Sequence, residues 1–244
     1  MTQPYDAHRS AGYFLTRDFV RPDQSSADLL PERLISASEC LASFVPATWT
    51  LTWVHSSDEA RLRTAIAFGL SSETLPPVMA SATESFGHDW GWPYVFYTLA
   101  AARQFHRSFL SSVPTVRLFG LALPQDLLLA FLKAAEPGTG EGATGFLACA
   151  KAGQPLEPGG VGIGWEILGF EYGMFHSWLC NGLERDVSQV LSIRPNTNGL
   201  IGSLDDARRV ADYCGQESVG AEPALWQPWF LVEYSLPHSI APAG

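Results

Sequence analysis

The sequence predicts one α+β domain over residues 1–244, a mixed or antiparallel sheet of about five to six strands with helices packed on it. Three observations lead there. Apolar residues make up 46% of the 244 positions and charged residues 16%, a balance that builds a core and excludes a disordered chain. Segments of period two and period 3.6 are mixed, without the regular strand–helix alternation of a doubly wound parallel sheet in the first half. No long linker, internal repeat or low-complexity tract divides the chain.

The elements follow in order. Gly12 to Phe19 reads as extended, and the loop after Arg21 ends at Pro31, a residue suited to a first helical turn. Leu34, Ile35, Leu41, Phe44 and Val45 then recur at helical spacing up to Pro46. Thr48 to His55 alternates Trp49, Leu51 and Trp53 with threonines, the pattern of a strand. Ser56 and Glu59 form a capping box for a helix whose buried stripe is Leu62, Ala65, Ile66 and Leu70. Ser72 to Gly91 is polar and ambiguous; Tyr94 to Leu110 reads as helix and Val116 to Leu123 as strand. A helix opens at Pro124 and carries Leu127, Leu128, Phe131 and Leu132. Phe146 to Ala150 and Ile163 to Tyr172 read as two strands around a Gly/Pro loop, followed by a helix from Phe175 to Leu191. Ser203 caps a helix bearing Leu204, Ala207, Val210, Ala211 and Cys214, and Trp229 to Leu236 is the last strand.

Charge narrows the function classes. Fifteen basic against twenty-five acidic residues give a net charge of −10, which repels a phosphate backbone, so nucleic acid is not an expected partner. The longest apolar candidate, Tyr94 to Ala102, falls well short of the ~20 residues of a membrane span. The first residues have no basic start followed by an apolar stretch, so the expectation is a cytoplasmic protein. Cys40, Cys149, Cys180 and Cys214 are far apart, with neither C-x-x-C nor Cys/His pairing. They are read as buried thiols, with no metal and no cofactor expected.

Three stretches invite a chemical reading. Gly87-His-Asp-Trp-Gly91 resembles the nucleophile elbow of α/β-hydrolases that use an aspartate, the haloalkane dehalogenases and epoxide hydrolases. That resemblance implies Asp89 as nucleophile and His238 as the base that activates water, and it requires a buried strand ending at Gly87. The residues upstream, Met79 to Phe86, are too small and polar for such a strand. Gly159 to Gly164 is glycine-rich but runs into a strand-like segment, which suits a loop better than a phosphate cradle. In Trp165 to Glu184, Glu166, Glu171 and His176 are candidates for an acid–base cluster, yet the two glutamates have opposite parity on a strand. On a helical wheel His176 falls within the apolar arc of Phe175, Trp178, Leu179, Leu183, Val187 and Val190.

Glu166-Ile-Leu-Gly-Phe-Glu-Tyr-Gly173 and Phe175-His-Ser-Trp-Leu-Cys-Asn-Gly-Leu-Glu184 resemble bacterial immunity proteins associated with polymorphic toxins. The resemblance implies a non-enzymatic cytoplasmic binder that neutralises a toxin domain. A basic partner would be steered by the charge of −10. Acidic residues beside aromatic ones are the expected contacts: Asp89 with Trp90 and Trp92, then Glu171 with Tyr172. The alternative reading remains the hydrolase built on Asp89 and His238.

Overall fold

The computed structural model describes residues 7–17, 34–38, 59, 62–63, 66, 69–91, 95–135, 145–171 and 174–236. Among the described residues it is an α+β structure: one curled antiparallel sheet of seven strands with six complete helices packed on it. The strands are β1 (His8–Arg17), β2 (Trp90–Gly91), β3 (Val95–Phe96), β4 (Val116–Pro124), β5 (Val161–Glu171), β6 (Met174–Ser177) and β7 (Leu225–Tyr234), in the spatial order β2-β3-β1-β4-β7-β5-β6. The helices are α1 (Leu75–Ser85), α2 (Leu99–Phe105), α3 (Gln125–Ala135), α4 (Gly145–Ala152), α5 (Glu184–Leu191) and α6 (Leu204–Cys214). A five-residue π-helical turn, His106–Leu110, extends α2.

Strand parity divides the core into two layers. On one face Tyr13, Leu15, Leu118 and Val232 meet α1 and α2 through Val78, Ala82, Ala102 and Phe105. Farther along that face Trp165, Ile167 and Trp226 meet α5 and α6 through Val187, Ala207 and Val210. On the opposite face Phe14, Phe119, Leu121, Trp229 and Leu231 meet α3 and α4 through Leu128, Phe131, Leu147 and Ala150. Covering both faces explains why Leu118 to Pro124 is buried at every position, where a half-exposed antiparallel strand would alternate.

Two bulges curl the sheet. The β1–β4 register shifts between Ser10 and Gly12, and the β5–β7 register between Gly162 and Gly164. Gly12 (φ 110°) and Gly164 (φ 142°) occupy backbone that side-chain-bearing residues rarely adopt. A Cβ on Gly164 would stand 2.8 Å from Leu200 Cβ and 3.0 Å from the Ile201 carbonyl oxygen.

Several expected elements form as read. Thr98 starts α2 by accepting the Ala101 N–H (3.0 Å), and Ser203 starts α6 by accepting that of Asp206 (3.2 Å). Others differ. Residues 146–150 belong to α4: the Leu147/Ala150 pair at helical spacing is buried, and Gly153 (φ 62°) terminates the helix by donating to Cys149 O. Residues 175–177 form β6 in a hairpin with β5, Phe175 opposite Phe170, so the following helix begins only at Glu184. Val190 is 63% exposed and lies outside the arc expected to be buried. Leu34 to Ser38 is irregular and buried, and Val95–Phe96 is a strand where a helix was expected. Ile66 is helical but exposed, the reverse of its expected place in a buried stripe. The expected strand at 48–55, Cys40, Trp92, Tyr172 and His238 lie outside the described residues.

Gly164→Ala is expected to lower unfolding free energy by about 1–3 kcal/mol in urea titration, from backbone strain and the Leu200 clash. Gly202→Ala is the control: nothing lies within 4 Å of its added Cβ. Its change should stay within about 0.5 kcal/mol.

Candidate functional site at the sheet margins

Asp89 does not stand on a nucleophile elbow. Helix α1 precedes it where a buried strand is required, and the two-residue β2 follows where a helix is required. The turn is closed by Gly87 N–H donating to Trp90 O (2.8 Å) and Asp89 N–H donating to Ser85 O (2.9 Å). Asp89 itself is exposed. Trp90, expected as a surface contact, is 2% exposed and donates its indole N–H to Ala82 O (2.9 Å), so it locks α1 to the sheet. Phe86, edge-on to Trp90 and half exposed, is the aromatic beside Asp89 that faces outward.

Glu171, from the second expected pair, lies at the other margin of the sheet order, at the end of β5. Glu166 and Glu171 separate as their parity requires. Glu166 is 1% exposed, and its two carboxyl oxygens accept from the Ser36 hydroxyl and the Ala37 N–H (2.9 Å). It is an anchor for residues 34–38, not a member of an acid–base cluster. This anchoring accounts for the irregular path of a segment whose spacing suggested a helix.

Glu171 Oε2 lies 3.8 Å from His176 Nε2, and Glu222 Oε2 lies 3.2 Å from His176 Nδ1. Asn181 orders Glu222 from both ends: its side-chain amide donates to Glu222 Oε2 (3.0 Å), and its carbonyl accepts the Glu222 backbone N–H (3.1 Å). Glu222 and Asn181 were not found in the sequence, because nothing local links residues forty-one positions apart. Only the tertiary turn before β7 brings them together. Among the described residues, no three His, Cys, Asp or Glu side chains are placed to hold a metal ion.

A separate cavity of about 530 Å³ lies between β1, α4 and the 154–158 turn, lined by Ser10, Tyr13, Tyr97, Cys149 and Leu156 among others. Its rim is held by Tyr13 Oη accepting the Glu157 N–H (3.2 Å) and by the Tyr234 hydroxyl donating to Glu157 O (2.7 Å). Burial pushes the Tyr13 phenol up and the Cys149 thiol up to about 12. Cys149 is therefore protonated at neutral pH and is no nucleophile. Cys214, in the core under α6, is likewise pushed up to about 12 by burial. Gly159 to Gly164 leads into β5, not into a helix, and forms no phosphate cradle. Among the described residues, no helix is long and apolar enough to cross a membrane.

Two outcomes follow. Glu166→Ala leaves the buried Ser36 hydroxyl and Ala37 N–H without their acceptor and should cost about 3 kcal/mol in urea unfolding. Glu166→Gln, which keeps one carbonyl acceptor, should cost roughly half as much. The thiols set an alkaline limit. With folded values raised, stability is complete below the thiols' ordinary pKa and falls between about pH 9 and 12. Each thiol contributes a loss on the order of 1 kcal/mol per pH unit in that window. Urea midpoints across the window should fall less steeply in the Cys149→Ala/Cys214→Ala double variant, the buried Tyr13 phenol leaving a residual slope.

Comparison of the chain with protein-family models, curated proteins and solved structures gives no match.

Proposed function

We propose that this chain is a cytoplasmic, immunity-type binding protein that neutralises a basic toxin domain by covering it. Its contact face is centred on Glu171, His176 and Glu222. One observation carries the reading. Two carboxylates from distant parts of the chain converge on one imidazole at the sheet margin, with 24% and 44% of their side chains still exposed. Such a pair is ready to accept an arginine or lysine from a partner without burying an unpaired charge.

The fold limits how a partner approaches. Among the described residues β6 is an edge strand, and strand addition is the usual risk and use of an edge. Here Ser38 occupies that edge, its hydroxyl accepting the Ser177 N–H (3.0 Å) and donating to Phe175 O (3.2 Å). Recognition at this margin therefore falls to side chains. The net charge of −10 adds long-range attraction toward a basic surface. Asp89 with Phe86 offers a smaller contact at the opposite edge of the strand order.

The test is co-expression with the variable C-terminal domain of a large secreted protein encoded by an adjacent gene. The expected result is protection of the cells and a complex whose association rate falls steeply with added salt. Glu171→Lys/Glu222→Lys should cut that rate roughly tenfold or more while leaving thermal unfolding little changed. A folded sample that neither binds nor protects overturns the proposal, as does protection indifferent to the double charge reversal.

A further inference from the structure

The end of α2 carries two departures from regular backbone beside one cavity. The helix widens into the π-turn His106–Leu110, a geometry that recurs at functional sites. The chain then turns and enters β4 through Thr115, a β-branched residue held at φ 63°, in the left-handed region. Between them lies a cavity of about 340 Å³. His106, Ser111, Thr115 and Ser235 give it a polar side, and Val113 and Leu236 an apolar one. Arg117 and Glu233 form part of its wall, paired through two bonds of 2.8 Å.

His106 is the feature that packing does not account for. It is 7% exposed, and its buried Nδ1 has no hydrogen-bond partner. Arg103, one turn earlier, is in a similar position: Nη2 donates to the carbonyl of Ser235 (3.3 Å), while its buried Nε has no acceptor. Of these two groups His106 lines the cavity, so a bound molecule can reach its side chain.

The local charge is also opposite to that of the whole chain. Residues 95–117 contain Arg103, Arg107 and Arg117 and no aspartate or glutamate. Arg117 is paired with Glu233, whereas neither Arg103 nor Arg107 is paired with a carboxylate among the described residues. Burial, and secondarily Arg107, pushes the His106 imidazole below its ordinary value. Neutral imidazole presents one donor and one acceptor.

We propose that this cavity is a binding site for a small monocarboxylate with a short apolar body, its carboxylate placed against His106 and Ser235, the residue that Arg103 holds from behind, and its body against Val113 and Leu236. Arg103 and Arg107, neither paired with a carboxylate among the described residues, leave a positive surround to a half-apolar cavity, which fits an anion carrying an apolar body better than a bare phosphate. The cavity is at the lower end of the size range of small-molecule sites. The site is independent of the proposed protein interface and survives if that interface fails.

Benzoate is the probe, with benzyl alcohol and phenyl phosphate as comparisons, titrated into the full chain by NMR. Benzoate is expected to bind with a dissociation constant on the order of 0.1–1 mM. It should shift the His106 imidazole nitrogens. His106→Leu should weaken binding at least about tenfold and raise the unfolding temperature, because it removes the unpartnered polar group. A purely structural histidine would instead lower that temperature when replaced. If the variant does not fold, the nitrogen shift in the native chain decides alone. No benzoate binding, an unmoved His106 signal, or equal binding of benzyl alcohol overturns the site. Tighter binding of phenyl phosphate overturns the monocarboxylate assignment.

Discussion

The carboxyl group of Glu166, in the middle of β5 and 1% exposed, fixes much of what surrounds it. A buried carboxyl group without donors would be strongly destabilising, so its environment must supply them. Ser36 and Ala37 do, and that commits residues 34–38 to an irregular path over the sheet instead of a helix. Ile35 N–H then donates to Asn198 O (3.1 Å), tying the same segment to the loop before α6. Ser38 follows in register to close the edge of β6. The β5–β6 pair that carries Glu171 and His176, already held by its ladder and by β7, thus gains a further tie through Ser38. Both residues belong to the margin proposed as a contact face.

The two bulges complement this anchor. The β5 bulge at Gly164 lets Trp165 exchange both backbone hydrogen bonds with Ile201 (2.8 Å each), so the loop before α6 joins the sheet as an extra bridge. The β1 bulge at Gly12 lets Val95 approach closely and draws the short β2–β3 pair onto the edge. Among the described residues, helices cover both faces of the sheet and short strands form both edges. The carboxylates of Glu171 and Glu222 and the cavity below the π-turn lie at strand ends and turns.

How much of this the sequence reveals depends on whether a feature is local. The patterns of β1, β4, β5 and β7 and the cap of α6 are local, and each element is found close to its expected place. The run at 146–150 is five residues of small and apolar side chains, too short for period two and period 3.6 to be told apart; the deciding residue, Gly153, lies beyond it. His176 satisfies a helical wheel only because Trp178, Leu179 and Leu183 are buried from a turn between β6 and α5. Trp90 was expected outside for its neighbour Asp89, but its indole found a carbonyl on α1 and sank. Glu222 and the orphaned nitrogens of His106 and Arg103 are products of tertiary packing, invisible to any window along the chain.

The two proposed sites use the molecule's charge in different ways, and the geometry keeps them apart. Strand β7 runs from Leu225, just after Glu222, to Tyr234, beside the π-turn cavity. Its ten residues span roughly 30 Å if straight. That is several times the Debye length of about 8 Å at physiological ionic strength, so the carboxylates at one end are screened from the arginines at the other. A chain of net charge −10 can therefore keep a locally basic recess. In the proposed interface the excess acid would act through water on an approaching protein and be weakened by salt. The recess acts at contact distance on a group already stripped of water, where screening has little effect. Salt dependence is strong in the first case and weak in the second, and that difference follows from burial alone.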